Sequence, residues 1–386
     1  MRQPVLNSIV VGAGLAGVAT AIALKQAGHG VTLVEGRSRH TVVSEGVFIT
    51  LAPNGMNALK PLGVYEAVLA AGIVTTGIEL LNGKGARLAL IAQGHYQKAF
   101  GAPSCTLVRG TLVDILLGRA EALGVDLRFD TRVTGLAGGE VAFDVLPATR
   151  YDLIVGADGI RSTVRDLAFA KAPKPSFTGQ IGTGGFVDTG VGETHGVMRM
   201  TFGEQAFFGY IAAPGKPVYW FNSFLARAQW RKPEGGLFAR QLLLMHANDP
   251  QPNADILLHV DRVDHAYPIF ELPRLPSWSA GPVILIGDAA HAIGPHAGQG
   301  GSLALEDAVV LADCVTSAPD LAAAFRAYEK RRRGRIDKVA KMTARRGAAK
   351  EIKGWFARFV RDLLIRIFVP LGTRAAEKPL GFKVTD

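Results

Sequence analysis

The first apolar residues of the chain come in blocks that do not alternate. Residues 5–11, VLNSIVV, suit a strand buried on both faces, and residues 12–28, GAGLAGVATAIALKQAG, suit a buried helix closed by Gly28. GVTLVE at 30–35 reads as a second strand, which completes one βαβ unit. The strand-to-loop-to-helix theme then recurs. FITLAPNGMNALKPLGVYEAVLAAG at 48–72 passes through Pro53-Asn54-Gly55 into helix, and CTLVRGTLVDILLGRAEAL at 105–123 sets Arg109 just before an amphipathic helix. YDLIVGADGIRSTVR at 151–165 carries Gly156, Asp158 and Gly159 between strand and helix. GPVILIGDAAHAIGPHAGQGGSLALEDA at 281–308 ends a buried strand on Gly287-Asp288, crosses a Pro- and Gly-rich loop and opens another helix.

Between about 171 and 279 the texture changes. Segments such as AFFGYIAAP and PVYWFNSFLAR alternate, are rich in aromatics and are separated by Pro and Gly, which predicts antiparallel strands forming one wall of a pocket. On these strands Tyr210, Trp220, Phe221, Asn222 and Phe224 are candidates for pocket wall or core, with Tyr210, Trp220 and Asn222 taken as substrate-binding candidates. After residue 320 the chain is nearly all helical and basic.

Composition narrows the function classes. With 48% hydrophobic and 20% charged residues in 386, the chain resembles an average globular protein large enough to enclose a pocket. Its N-terminal apolar run is interrupted by Gly12, Gly14 and Gly17, which argues against a signal peptide, and no apolar run reaches membrane-spanning length; a soluble, cytoplasmic protein is expected. Cys105 and Cys314 supply neither a disulfide framework nor a metal signature, and no metal site is expected. The net charge of +10 is concentrated between Arg326 and Arg374, where 16 Lys/Arg stand against four Asp/Glu. No nucleic-acid-binding motif accompanies this run, so it reads as a solvated helix face and no nucleic-acid partner is expected. Within it, Trp355, Phe356, Phe359, Val360, Leu363, Leu364, Ile367 and Phe368 recur at helical spacing opposite Arg358, Arg361 and Arg366. That stripe reads as a helix docked on the protein's own core, in preference to a membrane-surface helix.

The glycines of the first unit carry specific chemistry. In the GxGxxG spacing Gly12 permits the tight turn, Gly14 lets main-chain N–H groups approach a pyrophosphate, and Gly17 lets the helix lie close to the strand, with its N-terminus facing negative charge. Glu35, at the end of the second strand, is placed to accept hydrogen bonds from a ribose diol. A lone GxGxxG describes little more than a Gly-rich turn; the strand before, the helix after and the acid at this distance imply an adenosine diphosphate moiety.

Taken in order, GAGLAG with Glu35, GADGIRS at 156–162 and GDAAHAIGPHAGQGGSLALEDA at 287–308 resemble the class A flavoprotein monooxygenases, the family built on the para-hydroxybenzoate hydroxylase fold. The likeness runs from the first strand to AYEKRRRGR at 327–335. It implies an α/β, Rossmann-like FAD-binding fold of the three-layer ββα (GR2) type with an inserted antiparallel-sheet substrate domain and C-terminal helices. FAD-binding segments are then expected at 1–75, 101–170 and 280–345, substrate-domain segments at 76–100 and 171–279, and a C-terminal helical segment at 346–386. By resemblance, Gly12, Gly14, Ala16, Gly17, Glu35, Gly36, Arg37, Arg109, Asp158, Gly287, Asp288, Pro295, Gly298, Gly300, Gly301 and Ser302 contact non-covalent FAD. Pro295 is expected against the isoalloxazine ring, with Pro295 and His296 the flavin-adjacent candidates, and His291 close by. The helix N-terminus at Gly300 to Ser302 would face the flavin edge that gains negative charge on reduction.

The activity this implies is hydroxylation or epoxidation of an aromatic or unsaturated apolar small molecule, using NADH or NADPH and O₂ through a flavin C4a-hydroperoxide, in a monomer or homodimer. Another flavin reaction on the same fold, halogenation or reduction, is the alternative, together with a non-catalytic flavin-binding interaction protein; the WxWxIP signature of halogenases is absent from the sequence. No Ser-His-Asp or metal cluster is needed, because the cofactor performs the difficult step.

Overall fold

The computed structural model describes residues 4–295, 298–350, 352 and 354–384. Its frame is a six-stranded sheet in the order Ser279–Ala280, Val283–Leu285, Leu153–Gly156, Asn7–Val11, Gly30–Val34, Asp126–Arg128. All pairs are parallel apart from the first. Helices cover the central strands, which accounts for the unbroken apolar runs SIVV and LIV: both faces are buried, so no polar face is required. Register then assembles the site. Val11 pairs with Gly156, and Gly156 with Leu285, so three neighbouring strands end level and their loops, from Gly12, Ala157 and Ile286, emerge side by side. This is the carboxyl edge where doubly wound sheets bind ligands.

Two helices press on this edge. Leu15–Gln26, nearly all buried, packs against Gly300–Ser317, which is buried along most of its length. Gly17 makes the first close approach possible, since a Cβ there would lie 1.8 Å from the carbonyl oxygen of Gly12.

A seven-stranded sheet stands beside the frame, in the order Ala266–Glu271, Ser176–Val187, Val218–Leu225, Phe207–Ile211, Val197–Phe202, Gly77–Asn82, Arg87–Ala92. It is antiparallel except where Val197–Phe202 runs parallel to Gly77–Asn82. A three-stranded sheet, Phe48–Leu51, Ser104–Val108 and Ile73–Thr75, joins the two bodies. The large sheet has two different faces. One carries Phe208, Tyr210, Trp220 and Phe224 into a core with helices Leu237–Met245 and Asn253–Leu258. The other carries Met198, Met200, Tyr219 and Phe221 towards Phe48.

The C-terminus departs from the sequence-based expectation twice. The helix Leu321–Lys350 crosses residue 345 without a break, so the expected division between the 280–345 and 346–386 segments falls inside an element. The helix Trp355–Glu377 packs on the edge strand Arg87–Ala92, yet its apolar stripe is not docked on the core: Trp355, Phe356, Phe359, Leu363, Leu364, Ile367 and Phe368 are exposed. Among the described residues no helix is long and apolar enough to cross a membrane.

Candidate active site

A cavity of about 1770 Å³ opens where the sheets meet. It exceeds the few hundred to about 1,000 Å³ of an ordinary ligand site, so it has room for a cofactor and a substrate together. Its two ends differ chemically. Gly12, Gly14, Glu35, Gly36, Arg37, Arg109, Asp158 and Asp288 line one, and Phe48, Ile78, Leu80, Met198, Phe207 and Phe221 line the other.

At the polar end the main chain is shaped for close approach. Gly12 sits at φ +105°, and a Cβ there would collide with Ala157 at 2.6 Å; at Gly14 and Gly300 the same atom would meet nothing within 4 Å. Glu35 is buried and its Oε2 accepts from Ala13 N–H at 2.9 Å, while Oε1 accepts from Arg37 Nε at 2.8 Å. Burial pushes this carboxyl upward, but the Arg37 and Ala13 donors outweigh it and the net shift is downward, so Glu35 is a carboxylate. Arg109, the first residue of the helix Arg109–Ala122, donates to the carbonyl of Glu45 at 3.2 Å. Burial lowers its pKa, and neighbouring Arg37 lowers it further. Two guanidinium groups close together and partly desolvated make a site for a polyanion.

Asp158 accepts from Ser162 Oγ and from Val164 N–H at 3.0 Å, which holds the DG loop to the helix Thr163–Ala168. Asp288 is exposed to the cavity, but the protein around it desolvates the carboxyl and raises its pKa against the opposing pull of His291 and Arg109. The helix Gly300–Ser317 points its start at the same space, where its first amides have no intrahelical acceptors.

The remaining sequence candidates divide. Ala16, Pro295, Gly298, Gly300 and Gly301 line the cavity. Gly17 and Gly287 lie behind it and act through packing: a Cβ on Gly287 would meet that of Ala16 at 2.9 Å. Ser302 is buried, and its hydroxyl accepts from Ala52 N–H at 3.2 Å, so its side chain faces away from the cavity. His296 lies outside the described residues. His291 is held by Asp307 at 2.6 Å and does not line the cavity.

Tyr210, Trp220 and Asn222 are misplaced in the sequence reading. They project to the opposite face of the large sheet, where Tyr210 meets Arg199 and Asn222 bonds His246, whose Nδ1 lies 2.6 Å from Asp249. The alternation was visible but the inward face was not, and Phe221, between Trp220 and Asn222, is the residue that faces the cavity.

Two features escaped the sequence reading. Glu306 and Asp307, on the inner side of the helix Gly300–Ser317, are fully buried and tied to Arg332. Asp307 accepts from Arg332 Nε at 2.7 Å, His291 Nε2 at 2.6 Å and Gly287 N–H at 3.0 Å, so it anchors the loop that carries Asp288. Two adjacent acids in an otherwise apolar helix, LALEDAVVL, were the available signal. Gln93 is the other: it lines the apolar end, and its Oε1 is buried with no hydrogen-bond partner.

The family comparison agrees with this geometry. The FAD-binding domain family matches residues 5–343, and an aurachin C monooxygenase/isomerase of Stigmatella aurantiaca is 32% identical over 94% of this chain and 94% of its own length. The chain belongs to the FAD-binding class A monooxygenases. This monooxygenase is also 30% identical to a 2-heptyl-3-hydroxy-4(1H)-quinolone synthase of Mycobacteroides abscessus, over 86% of this chain and 87% of the relative. Its fold matches the structure of Klebsiella pneumoniae HpxO complexed with FAD and uric acid at a TM-score of 0.85, with 22% identity, over 97% of this chain and 95% of that one. The monooxygenase binds FAD, and the residues present fit it: open space at Gly14 and Gly300, an ionised Glu35 and a paired-arginine pocket.

Proposed function

We propose that this FAD-dependent monooxygenase oxygenates an aromatic heterocycle bearing an alkyl chain. The apolar end of the cavity carries the reading. Phe48, Phe207 and Phe221 offer flat surfaces for a ring, while Ile78, Leu80, Met198, Met200 and Ile365 offer a flexible aliphatic surface for a chain. Gln93, with its unpartnered Oε1, supplies an acceptor for a ring N–H or hydroxyl and would fix the ring's orientation. The names of the aurachin and heptylquinolone relatives point to the same kind of compound.

In this reading Glu35 receives the ribose diol of FAD, Gly12 shapes the turn, and Arg37 and Arg109 with the amides of Gly14 to Ala16 receive its pyrophosphate. Gly36 lets the Arg132 side chain pass beside Glu35, where a Cβ would meet it at 2.8 Å; Asp158 and Asp288 hold the ribityl region, and Pro295 lies against the ring. Amides at Gly300, Gly301 and Ser302 face the end of the ring that becomes negative on reduction, while Gly298 N–H donates to the Pro295 carbonyl at 3.0 Å and closes the turn before them. When bound, FAD passes electrons from NAD(P)H to O₂ and delivers one oxygen atom; the second leaves as water. The chain's part is to bind, orient and exclude water, and the aromatic wall does the last of these.

The test is NADH and NADPH oxidation by the FAD-loaded protein with 2-alkyl-4-quinolones of graded chain length, urate and 6-hydroxynicotinate, with product mass. The long-chain quinolone should stimulate turnover most and gain one oxygen atom. Shortening the chain by two methylenes should raise KM on the order of tenfold. Turnover with the small polar rings alone would rule this substrate class out.

A further inference from the structure

The helix Trp355–Glu377 presents the wrong half of itself to the protein for an ordinary surface helix. Its inward side carries Arg361, only 6% exposed, which bonds Asp362 at 2.7 Å and lies 4.7 Å from the centre of the Phe202 ring. Asp362 in turn accepts from Asn82 at 3.3 Å, and Arg358 donates to the main chain of Glu204 at 2.9 Å. The outward side carries Trp355, Phe356, Phe359, Leu363, Ile367 and Leu371, spaced to fall on one helical face; Trp355 is 81% and Leu371 76% exposed. A contiguous apolar stripe of this length is not left bare on a protein that works in water alone.

Charge decides what covers it. Between Lys338 and Arg374 ten Lys/Arg stand against two Asp/Glu, and Lys341, Arg345 and Arg366 are exposed. A second copy of the chain would bring this excess of positive charge against itself across a two-fold interface. An anionic lipid surface would neutralise it and take up the stripe, and a tryptophan at the start of the helix suits the headgroup level. No described helix can cross a bilayer, so the contact lies in the plane of the surface.

We propose that Trp355–Glu377 seats this protein on an anionic lipid surface, with its aromatic stripe among the upper acyl segments and Arg366 at the headgroups. The seat is independent of the reaction proposed above. One consequence does rest on that reading: Ile365 and Val369 of the same helix line the cavity, so a lipophilic substrate passes from the bilayer to the site along one helix.

The test is flotation of the full-length, FAD-loaded protein with phosphatidylcholine vesicles, with and without phosphatidylglycerol, at low and high salt. Binding is expected on the anionic vesicles and should weaken with salt. The double variant Phe356→Glu/Phe359→Glu, neither residue of which lines the cavity, should lose at least about tenfold in partitioning, since it removes two inserted rings and adds two repelled charges. Arg366→Gln should lose about fivefold. Bound-flavin absorbance and NAD(P)H oxidation without vesicles should be unchanged in all three proteins, which separates loss of the seat from loss of the fold or of the activity. Absent binding by the parent protein, or equal binding by the double variant, overturns the proposal. So does sedimentation showing a dimer that the double variant dissociates, since the stripe would then be a subunit contact.

Discussion

Gly14 and Gly17 are three residues apart and small for different reasons. The space beside Gly14 is empty protein-side, whereas a Cβ on Gly17 would lie 1.8 Å from the oxygen of Gly12. Gly14→Ala is therefore expected to leave the flavin-free protein's unfolding temperature within a degree or so while weakening FAD binding by tenfold or more; Gly17→Ala should destabilise the flavin-free protein by about 1–3 kcal/mol through overpacking. Thermal unfolding and flavin-fluorescence titration of both variants check the contrast. Asp307 offers a test with a pH signature. Burial alone would raise its carboxyl, but His291 and Arg332 hold it down at about 2, below the ordinary value of 3.8. A depressed folded-state pKa gives stability that is complete above about pH 4 and lost as pH falls towards 2, on the order of 2 kcal/mol. Asp307→Asn, which leaves Arg332 buried with Glu306 as its one carboxylate partner among the described residues, should cost about 3–5 kcal/mol near neutrality, and its deficit against the parent should shrink below pH 4. Urea unfolding across that range measures both.

At the scale of elements, the parallel frame was legible because its strands are buried on both faces and its loops are punctuated by glycine: VLNSIVV, YDLIVGADG and GPVILIGD each gave a strand with its loop in the right place. What pattern could not give was the inward face of the large sheet. Both faces of Phe207–Ile211 and Val218–Leu225 are aromatic and apolar, since one covers a core and the other a cavity, so alternation of polarity had nothing to label. The stripe on Trp355–Glu377 misled for a related reason: helical periodicity says that one face is apolar, not what covers it. The face assignment is itself testable. Trp220→Ala should destabilise the protein by about 3–5 kcal/mol, being sealed beside Phe208 on the outer core, with little change in substrate KM for whatever stays folded. Phe221→Ala should act chiefly on substrate KM and on the yield of oxygenated product per NAD(P)H consumed. Thermal melts and steady-state kinetics on the pair would show the reverse order if the sheet faced the other way.

The whole molecule is arranged around a space where its parts meet. The parallel sheet contributes Glu35, Asp158 and Asp288, the joining sheet Phe48 and Thr75, the large sheet Met198 and Phe221, and the last helices Met342 and Ile365. A cavity shared in this way means that neither end can be occupied without coupling the bodies that wall it, and a ligand bound only by the folded chain stabilises it as RT ln(1 + [L]/Kd). FAD at a hundredfold excess over its Kd should therefore raise the unfolding free energy by about 2.7 kcal/mol. The gain should appear in both bodies, because Phe48 of the joining sheet and Phe221 of the large sheet, 6.1 Å apart ring to ring, wall the same cavity as the flavin end. Hydrogen exchange on the flavin-free and FAD-loaded protein distinguishes the cases. Slowing is expected at Gly12–Ala16 and Ala157–Arg161, and also along Val218–Leu225 and Gly77–Asn82; protection confined to the parallel sheet would show that the two bodies open independently and that the cavity is an interface between separable units.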